Sequence, residues 1–138
     1  ELEKEAVVHG GGLTHRLRLD DAILIKDNHL KLFPNIIEAV TSSREKYPDL
    51  MVEVEADNLK QATDAVKAGA DRVMLDNFTI EDAKLAYLKL KEISDVDIEI
   101  SGGITLDNIA IFAPYADYIS LSSLTMASIP VDFSLHVL

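Results

Sequence analysis

The segment GGGLTHRLRLDDAILIK, residues 10–26, brings an imidazole, a guanidinium and an ammonium group close together along the chain. His15 and Arg16 follow three glycines, and Lys26 ends an aliphatic run. An arginine fork matches a carboxylate, and a histidine adds a donor that its neighbours can tune. Anion binding is therefore one interpretation. The alternatives are a solvated His-Arg loop and a Lys26 that acts as counter-ion to a nearby acid.

Polar residues also end the four later apolar runs of the chain. In order they are Glu55, Asp76, Ser101-Gly102-Gly103 and Ser122-Ser123. The two acids could bind ribose hydroxyls or a Mg²⁺ ion shared with a phosphate, could stabilise a positively charged sugar carbon, or could simply be solvated. The glycine pair lies between a predicted strand and a predicted helix. It is suited to bind phosphate through backbone N–H groups, although a tight turn is the alternative.

Five short apolar runs predict strands, because they are rich in Ile, Val and Leu and are bounded by polar residues. These runs are 22–26, 51–56, 72–77, 97–103 and 117–123. Helical patterns are found at 1–8, at 35–47 with Ile36, Ile37 and Val40 on one face, from the N-cap Asn58 to Gly69, at 79–93, and after Thr105 as an N-cap. The alternation of strands and helices predicts a parallel sheet with right-handed crossovers.

The polarity of alternate strand residues favours a barrel over an open sheet. In VEVEA, 52–56, the valines share one face and the glutamates the other, and DIEIS, 97–101, repeats the pattern. Helices on both faces would bury these acids at a cost of several kcal/mol each if unpaired. In a barrel, Glu53 and Glu99 are expected to pair inside the lumen. A closed barrel needs about 250 residues, so this chain predicts a partial one.

Composition limits the classes of partner. The chain has 138 residues, 48% of them hydrophobic, which suits one globular domain. Its net charge of -11 argues against nucleic acid or an anionic membrane as partner. It has no cysteine, which excludes disulfides and thiolate metal sites and is compatible with a cytoplasmic protein.

Three ordered blocks and the last residues of the chain resemble the quinolinate phosphoribosyltransferase family (nicotinate-nucleotide pyrophosphorylase, carboxylating). The blocks are GGGLTHRLRLDDAILIKDNH, VEVEADNLKQATDAVKAGADRVMLDNFT and IEISGGITLDNIAIFAPYADYISLSSLT, and the closing segment is PVDFSLHVL. The resemblance implies that quinolinate takes a phosphoribosyl group from PRPP with Mg²⁺ and loses carbon dioxide. The products would be nicotinate mononucleotide and pyrophosphate, in de novo NAD synthesis.

The resemblance also implies roles for individual residues. The quinolinate carboxylates would be held by His15, Arg16 and Lys26. Ribose and Mg-bound PRPP would face Glu55 and Asp76, so that these acids meet the metal only through PRPP. The 5′-phosphate would be held by Ser101, Gly102, Gly103, Ser122 and Ser123. The sequence departs from the family pattern at Thr14, Arg18, Ser122 and Met126, where the family commonly has Asn, Gly, Gly and His.

By the same resemblance, residues 1–138 form the C-terminal portion of an α/β-barrel catalytic domain. An N-terminal sandwich domain and the first part of the barrel are absent from this chain. The family implies a homodimer or higher homo-oligomer whose neighbouring subunit completes the site, so the isolated fragment is expected to be inactive. The alternatives are a phosphate-binding barrel lyase or isomerase with a Schiff base at Lys26, a PRPP-dependent transferase with another acceptor, and a non-catalytic fragment.

Overall fold

Five parallel strands form one sheet in the order β1-β2-β3-β4-β5. The computed structural model describes residues 2–137. Its elements are α1 (Leu2–His9), β1 (Ile23–Ile25), α2 (Asp27–Leu30), α3 (Ile36–Lys46), β2 (Val52–Ala56), α4 (Leu59–Lys67), β3 (Arg72–Asp76), α5 (Ile80–Ile93), β4 (Asp97–Ser101), α6 (Ile109–Phe112), a 3₁₀ turn (Ala113–Tyr115), β5 (Tyr118–Ile119) and α7 (Ser123–Met126). The partial α/β barrel predicted from the sequence is confirmed.

Side-chain caps fix the start of each of the three longer crossover helices. Asn35, Asn58 and Thr79 each accept the backbone N–H of the residue three positions later. Such caps satisfy a donor that the first helical turn leaves unbonded. The predicted helices at 35–47, 58–69 and 79–93 are therefore confirmed to within a residue or two at their ends.

The helix predicted after Thr105 is wrong in its start. The first helical residue is Ile109, and the helix has only four residues. The side chain of Asn108 accepts the N–H of Thr105 and donates to the carbonyl of Gly103, at 2.8 and 3.0 Å. These bonds close a turn over 103–108, so the loop after β4 does not lead directly into a helix.

The core lies between the sheet and the crossover helices. On the helix-facing side of the central strands, the fully buried residues are Val52, Val54, Val73, Leu75, Ile98 and Ile100. Small residues of α3, α4 and α5, such as Ala39, Ala62 and Ala86, pack on them without exposed surface. Ile37, predicted to face the core, is 47% exposed, because the buried stripe of α3 runs through Ile36, Ala39 and Val40.

The helices are all too short or too polar to cross a bilayer, as far as residues 2–137 are concerned.

Candidate functional site

A cavity of about 540 Å³ opens at the carboxyl ends of β4 and β5. Its polar lining includes His15, Ser101, Gly102, Gly103, Ser120, Ser122 and Thr125. The structure thus brings His15 and four of the five residues predicted to hold phosphate around one space. Ser123, the fifth, is exposed at the start of α7. Ligands of parallel α/β folds bind at this end of the strands.

The loop at Gly102 and Gly103 presents backbone donors to this cavity. Both residues have positive φ, 85° and 65°, a conformation that glycine adopts without steric cost. Within residues 2–137, the N–H groups of the two glycines have no acceptor. Because α6 starts only at Ile109, the helix dipole expected at this loop is not there. The remaining attraction for an anion comes from the loop N–H groups themselves.

His15 and two glutamates form a polar cluster on the lumen face of the sheet. The Nε2 of His15 lies 2.9 Å from Oε2 of Glu53 and 3.8 Å from Oε2 of Glu99. Ser120 donates its hydroxyl to Glu99 at 2.5 Å, and Arg72 lies 3.5 Å from the same carboxylate. Glu53 and Glu99 are 0% and 1% exposed. The prediction that these acids pair inside the lumen is confirmed.

Burial and the nearby charge of Glu99 raise the pKa of the Glu53 carboxyl, and His15 and Arg72 oppose this shift. The second oxygen of Glu53, Oε1, and the Nε of Arg72 are buried and have no hydrogen-bond partner within residues 2–137. A buried carboxylate beside a second carboxylate ionises less readily than an exposed one. Glu53 is therefore harder to ionise than a glutamate on the protein surface.

The same three side chains have the spacing of a metal site. One ligand atom each from His15, Glu53 and Glu99 lies within 4.8 Å of the others. Part of this ligand set is already engaged by protein groups, because His15 bonds Glu53 and the Arg72 guanidinium faces Glu99. Mg²⁺ prefers an all-oxygen shell, which a histidine does not supply. The acids predicted to meet Mg-bound PRPP are other residues, Glu55 and Asp76.

Glu55 and Asp76 lie at the carboxyl ends of adjacent strands and offer only oxygen atoms. Lys26 approaches Glu55 at 2.6 Å, so the structure shows Lys26 as the counter-ion that the sequence left open. The Lys26 side chain is 47% exposed and Glu55 is 12% exposed, which leaves the ammonium accessible from solvent. The ring of His29 accepts the backbone N–H of Lys26 at 2.9 Å.

The contacts of residues 2–137 place Arg16 and Lys26 at opposite ends of β1. One guanidinium N–H of Arg16 donates to the carbonyl of Ala22 at 3.3 Å, just before β1 begins. Lys26 follows the other end of β1, and four residues of strand span roughly 13 Å. The physical reason is chain direction, because residues 13–21 must return to the amino end of β1 and place Arg16 there.

Two polar residues of the site were not singled out from the sequence. Ser120 bonds Glu99 and lines the cavity. Its alternation with Ile119 and Leu121 in YISLS, residues 118–122, was the available signal. Asn77 has a φ of 55° and donates its side-chain amide to Asp76 at 2.6 Å. Asparagine tolerates positive φ better than most residues, so an Asn directly after a strand end was the available signal.

The fold and the site define a partial α/β barrel with an anion-suited cavity at the carboxyl ends of its strands. The chain belongs to the quinolinate phosphoribosyl transferase family, since the model of the family's C-terminal domain matches residues 1–136.

Relatives of this family align along almost the whole chain. The chain is 42% identical to the probable nicotinate-nucleotide pyrophosphorylase [carboxylating] of Methanocaldococcus jannaschii, and the match covers 99% of the chain and 50% of the relative. It is 41% identical to the human nicotinate-nucleotide pyrophosphorylase [carboxylating], over 99% of the chain and 47% of that protein. The chain thus spans about half the length of the curated relatives it matches.

Solved structures give the same result for the fold. NadC from Streptococcus pyogenes superposes with a TM-score of 0.88 at 40% identity, over 96% of the chain and 46% of that structure. Thiamine phosphate pyrophosphorylase from Pyrococcus furiosus superposes with a TM-score of 0.60 at 21% identity, over 78% of the chain and 52% of that structure. The second likeness concerns the barrel fold alone.

Proposed function

We propose that this chain is the C-terminal barrel portion of an enzyme that transfers the phosphoribosyl group of PRPP to quinolinate. The transfer is coupled to loss of carbon dioxide and gives nicotinate mononucleotide and pyrophosphate. The observation that carries the proposal is the match to the family along residues 1–136, together with relatives named as carboxylating pyrophosphorylases. The cavity at the ends of β4 and β5 is the site that this activity would use.

The 5′-phosphate of PRPP is assigned to the loop after β4. The N–H groups of Gly102 and Gly103 supply donors that the rest of residues 2–137 does not use. The hydroxyls of Ser101, Ser122 and Thr125 line the same cavity and add further donors. Ser123 is exposed outside this lining, so it contributes at most through the loop that carries Ser122. Preorganised donors of this kind fix a phosphate in place and so orient the sugar attached to it.

Glu55 and Asp76 are assigned to the ribose hydroxyls and to the Mg²⁺ that accompanies PRPP. Their oxygens suit a hard cation that keeps several of its waters. Mg²⁺ would neutralise charge on the departing pyrophosphate, and the two carboxylates would stabilise positive charge on the sugar carbon. The protein's own contribution is to hold both acids at the strand ends, beside the phosphate loop.

His15, Arg16 and Lys26 are assigned to the two carboxylates of quinolinate. Lys26 is accessible, and a dianion could share its ammonium with Glu55. His15 lines the cavity and is held by Glu53. Arg16 uses one guanidinium N–H on Ala22, and its assignment requires residues 13–21 to turn the guanidinium toward Lys26. A substitution at Arg16 therefore tests the assignment of the quinolinate carboxylates most directly.

The test is a titration of quinolinate into the full-length protein, with nicotinate as control. Quinolinate should bind and nicotinate, which lacks one carboxylate, should bind much more weakly. Arg16→Ala should weaken quinolinate by about 10- to 100-fold, as expected for a lost charge-assisted hydrogen bond, and should leave PRPP binding nearly unchanged. The matched control is Arg18→Ala, because Arg18 is exposed on the same segment.

Equal binding of quinolinate and nicotinate would contradict the acceptor assignment. A larger loss for PRPP than for quinolinate in Arg16→Ala would show that Arg16 acts elsewhere.

The remaining parts of the proposal concern the whole protein. We place it in the cytoplasm as a homodimer or higher homo-oligomer in which a neighbouring subunit completes the site, with quinolinate and PRPP as partners. The net charge of -11 supports neither nucleic acid nor an anionic membrane as a partner.

A further inference from the structure

Asn77 occupies an unusual backbone position at the end of β3. Its φ of 55° is the single positive value of a non-glycine residue within residues 2–137. It directly follows Asp76, which pairs in register with Ser101 at the end of β4. A left-handed residue at this point turns the chain away from the sheet just beyond the two strand ends. The position therefore decides the direction that the chain takes beyond the end of β3.

Three contacts connect Asn77 to both strand ends. Its backbone N–H donates to the carbonyl of Ser101 at 2.9 Å, which extends the β3–β4 pairing by one residue. Its side-chain amide donates to a carboxylate oxygen of Asp76 at 2.6 Å. Its side chain also packs against Gly102, where an added Cβ would lie only 2.6 Å from Cγ and 2.8 Å from the backbone N of Asn77.

The side chain of Asn77 thus occupies the space that a side chain at position 102 would need. Gly102 has a φ of 85°, so its conformation also favours glycine. The amide of Asn77 fills the space beside it and at the same time directs one oxygen of Asp76. A movement of the phosphate loop would press on Asn77 and through it on the carboxylate.

We propose that Asn77 is a positioning residue that fixes the Asp76 carboxylate relative to the Gly102–Gly103 loop. The inference rests on the proposed function, in which Asp76 faces ribose and the loop holds the 5′-phosphate of the same sugar. Asn77 sets the distance between the Asp76 carboxylate and the Gly102–Gly103 loop. That distance selects a ligand that carries both a ribose and a phosphate, which is a ribose 5-phosphate unit. Inorganic phosphate, which reaches only the loop, depends on this separation far less.

Two variants of the full-length protein separate this role from a requirement for the turn alone. Asn77→Gly keeps the left-handed backbone and removes the side chain. Asn77→Asp keeps the shape and tolerates the same backbone, but it places a carboxylate beside Asp76 where the amide donated. Both should stay folded by thermal unfolding. Each should weaken ribose 5-phosphate by about tenfold or more, measured by calorimetry. Asn77→Gly, which adds no charge beside Gly102, should weaken inorganic phosphate by less than about threefold.

Ribose 5-phosphate affinity within twofold of the unsubstituted protein in both variants would overturn the inference, because the turn alone would then suffice. Equal losses for ribose 5-phosphate and inorganic phosphate in Asn77→Gly would overturn it as well, since the loop itself would have been damaged. Absent pyrophosphate release from PRPP and quinolinate, with the expected ribose 5-phosphate pattern retained, would reject the proposed function and leave the positioning role supported. No binding of ribose 5-phosphate by the unsubstituted protein would reject both.

Discussion

At the scale of single residues, the lumen glutamates are the most unusual feature. Glu53 is fully buried, faces Glu99, His15 and Arg72, and leaves one oxygen without a partner within residues 2–137. Its native pKa is raised above 4.5 by burial first and by Glu99 second. Proton binding at Glu53 therefore stabilises the native state relative to the unfolded state. That contribution is fully present below pH 4.5 and is lost as the pH rises through the native pKa.

The change Glu53→Gln tests this account of the lumen. The amide keeps a carbonyl oxygen for His15 but cannot ionise, so the variant should not lose stability as the pH rises above 4.5. The free energy of unfolding of the variant minus that of the unsubstituted protein should increase from pH 4.5 toward about pH 8. Urea unfolding across this range measures it. The control is Glu81→Gln on the exposed surface of α5, which should change stability by less than about 0.5 kcal/mol.

A difference that shrinks as the pH rises would show that Glu53 is ionised more easily in the native state than in the unfolded one.

The sequence predicted the burial and pairing of Glu53 and Glu99 because strand alternation decides which face a side chain takes. It could not predict His15 as the partner of Glu53, since the residues between α1 and β1 follow no periodic pattern. For the same reason the sequence placed Arg16 beside Lys26, while the returning chain places it beside Ala22. Alternation along a strand decides which face of the sheet a side chain takes. The path of an irregular segment depends instead on contacts between residues that are distant in sequence.

At the scale of elements, the N-caps are what separates the correctly predicted helices from the one with the wrong start. Asn58 and Thr79 are side-chain acceptors followed by residues that continue a helix. Thr105 has the same chemistry, yet its backbone carbonyl, and not its side chain, accepts the N–H of Asn108 at 3.3 Å and closes a turn instead. A capping residue type is therefore only a local signal, because the backbone can bond in another way at the same position.

The cap of α4 gives a prediction for stability. Asn58→Ala should lower the free energy of unfolding by about 1 kcal/mol, because the N–H of Gln61 loses its acceptor. Asn58→Asp keeps an acceptor at the same position and is the matched control, with little expected change. Both can be compared by urea unfolding of the full-length protein. A loss of similar size in the two variants would mean that the amide group, and not the cap, stabilises this helix start.

At the scale of the whole molecule, this chain supplies five strands of a partial barrel and a cavity at the carboxyl ends of its strands. The order of five strands followed from their spacing, and the polar strand ends pointed to the side of the sheet on which ligands bind. Local patterns in these 138 residues do not predict how the barrel closes or how subunits assemble. The central claim, that the full-length protein carries out decarboxylating phosphoribosyl transfer, is a proposal about the whole protein.

The most direct test is a mass balance for the full-length protein with PRPP, Mg²⁺ and quinolinate labelled at the carboxylate next to the ring nitrogen. That carboxylate is the one absent from nicotinate. The account predicts pyrophosphate, labelled carbon dioxide and unlabelled nicotinate mononucleotide in equal amounts, and no turnover when nicotinate replaces quinolinate. A mononucleotide that retains the label, or equal turnover of nicotinate, would contradict it.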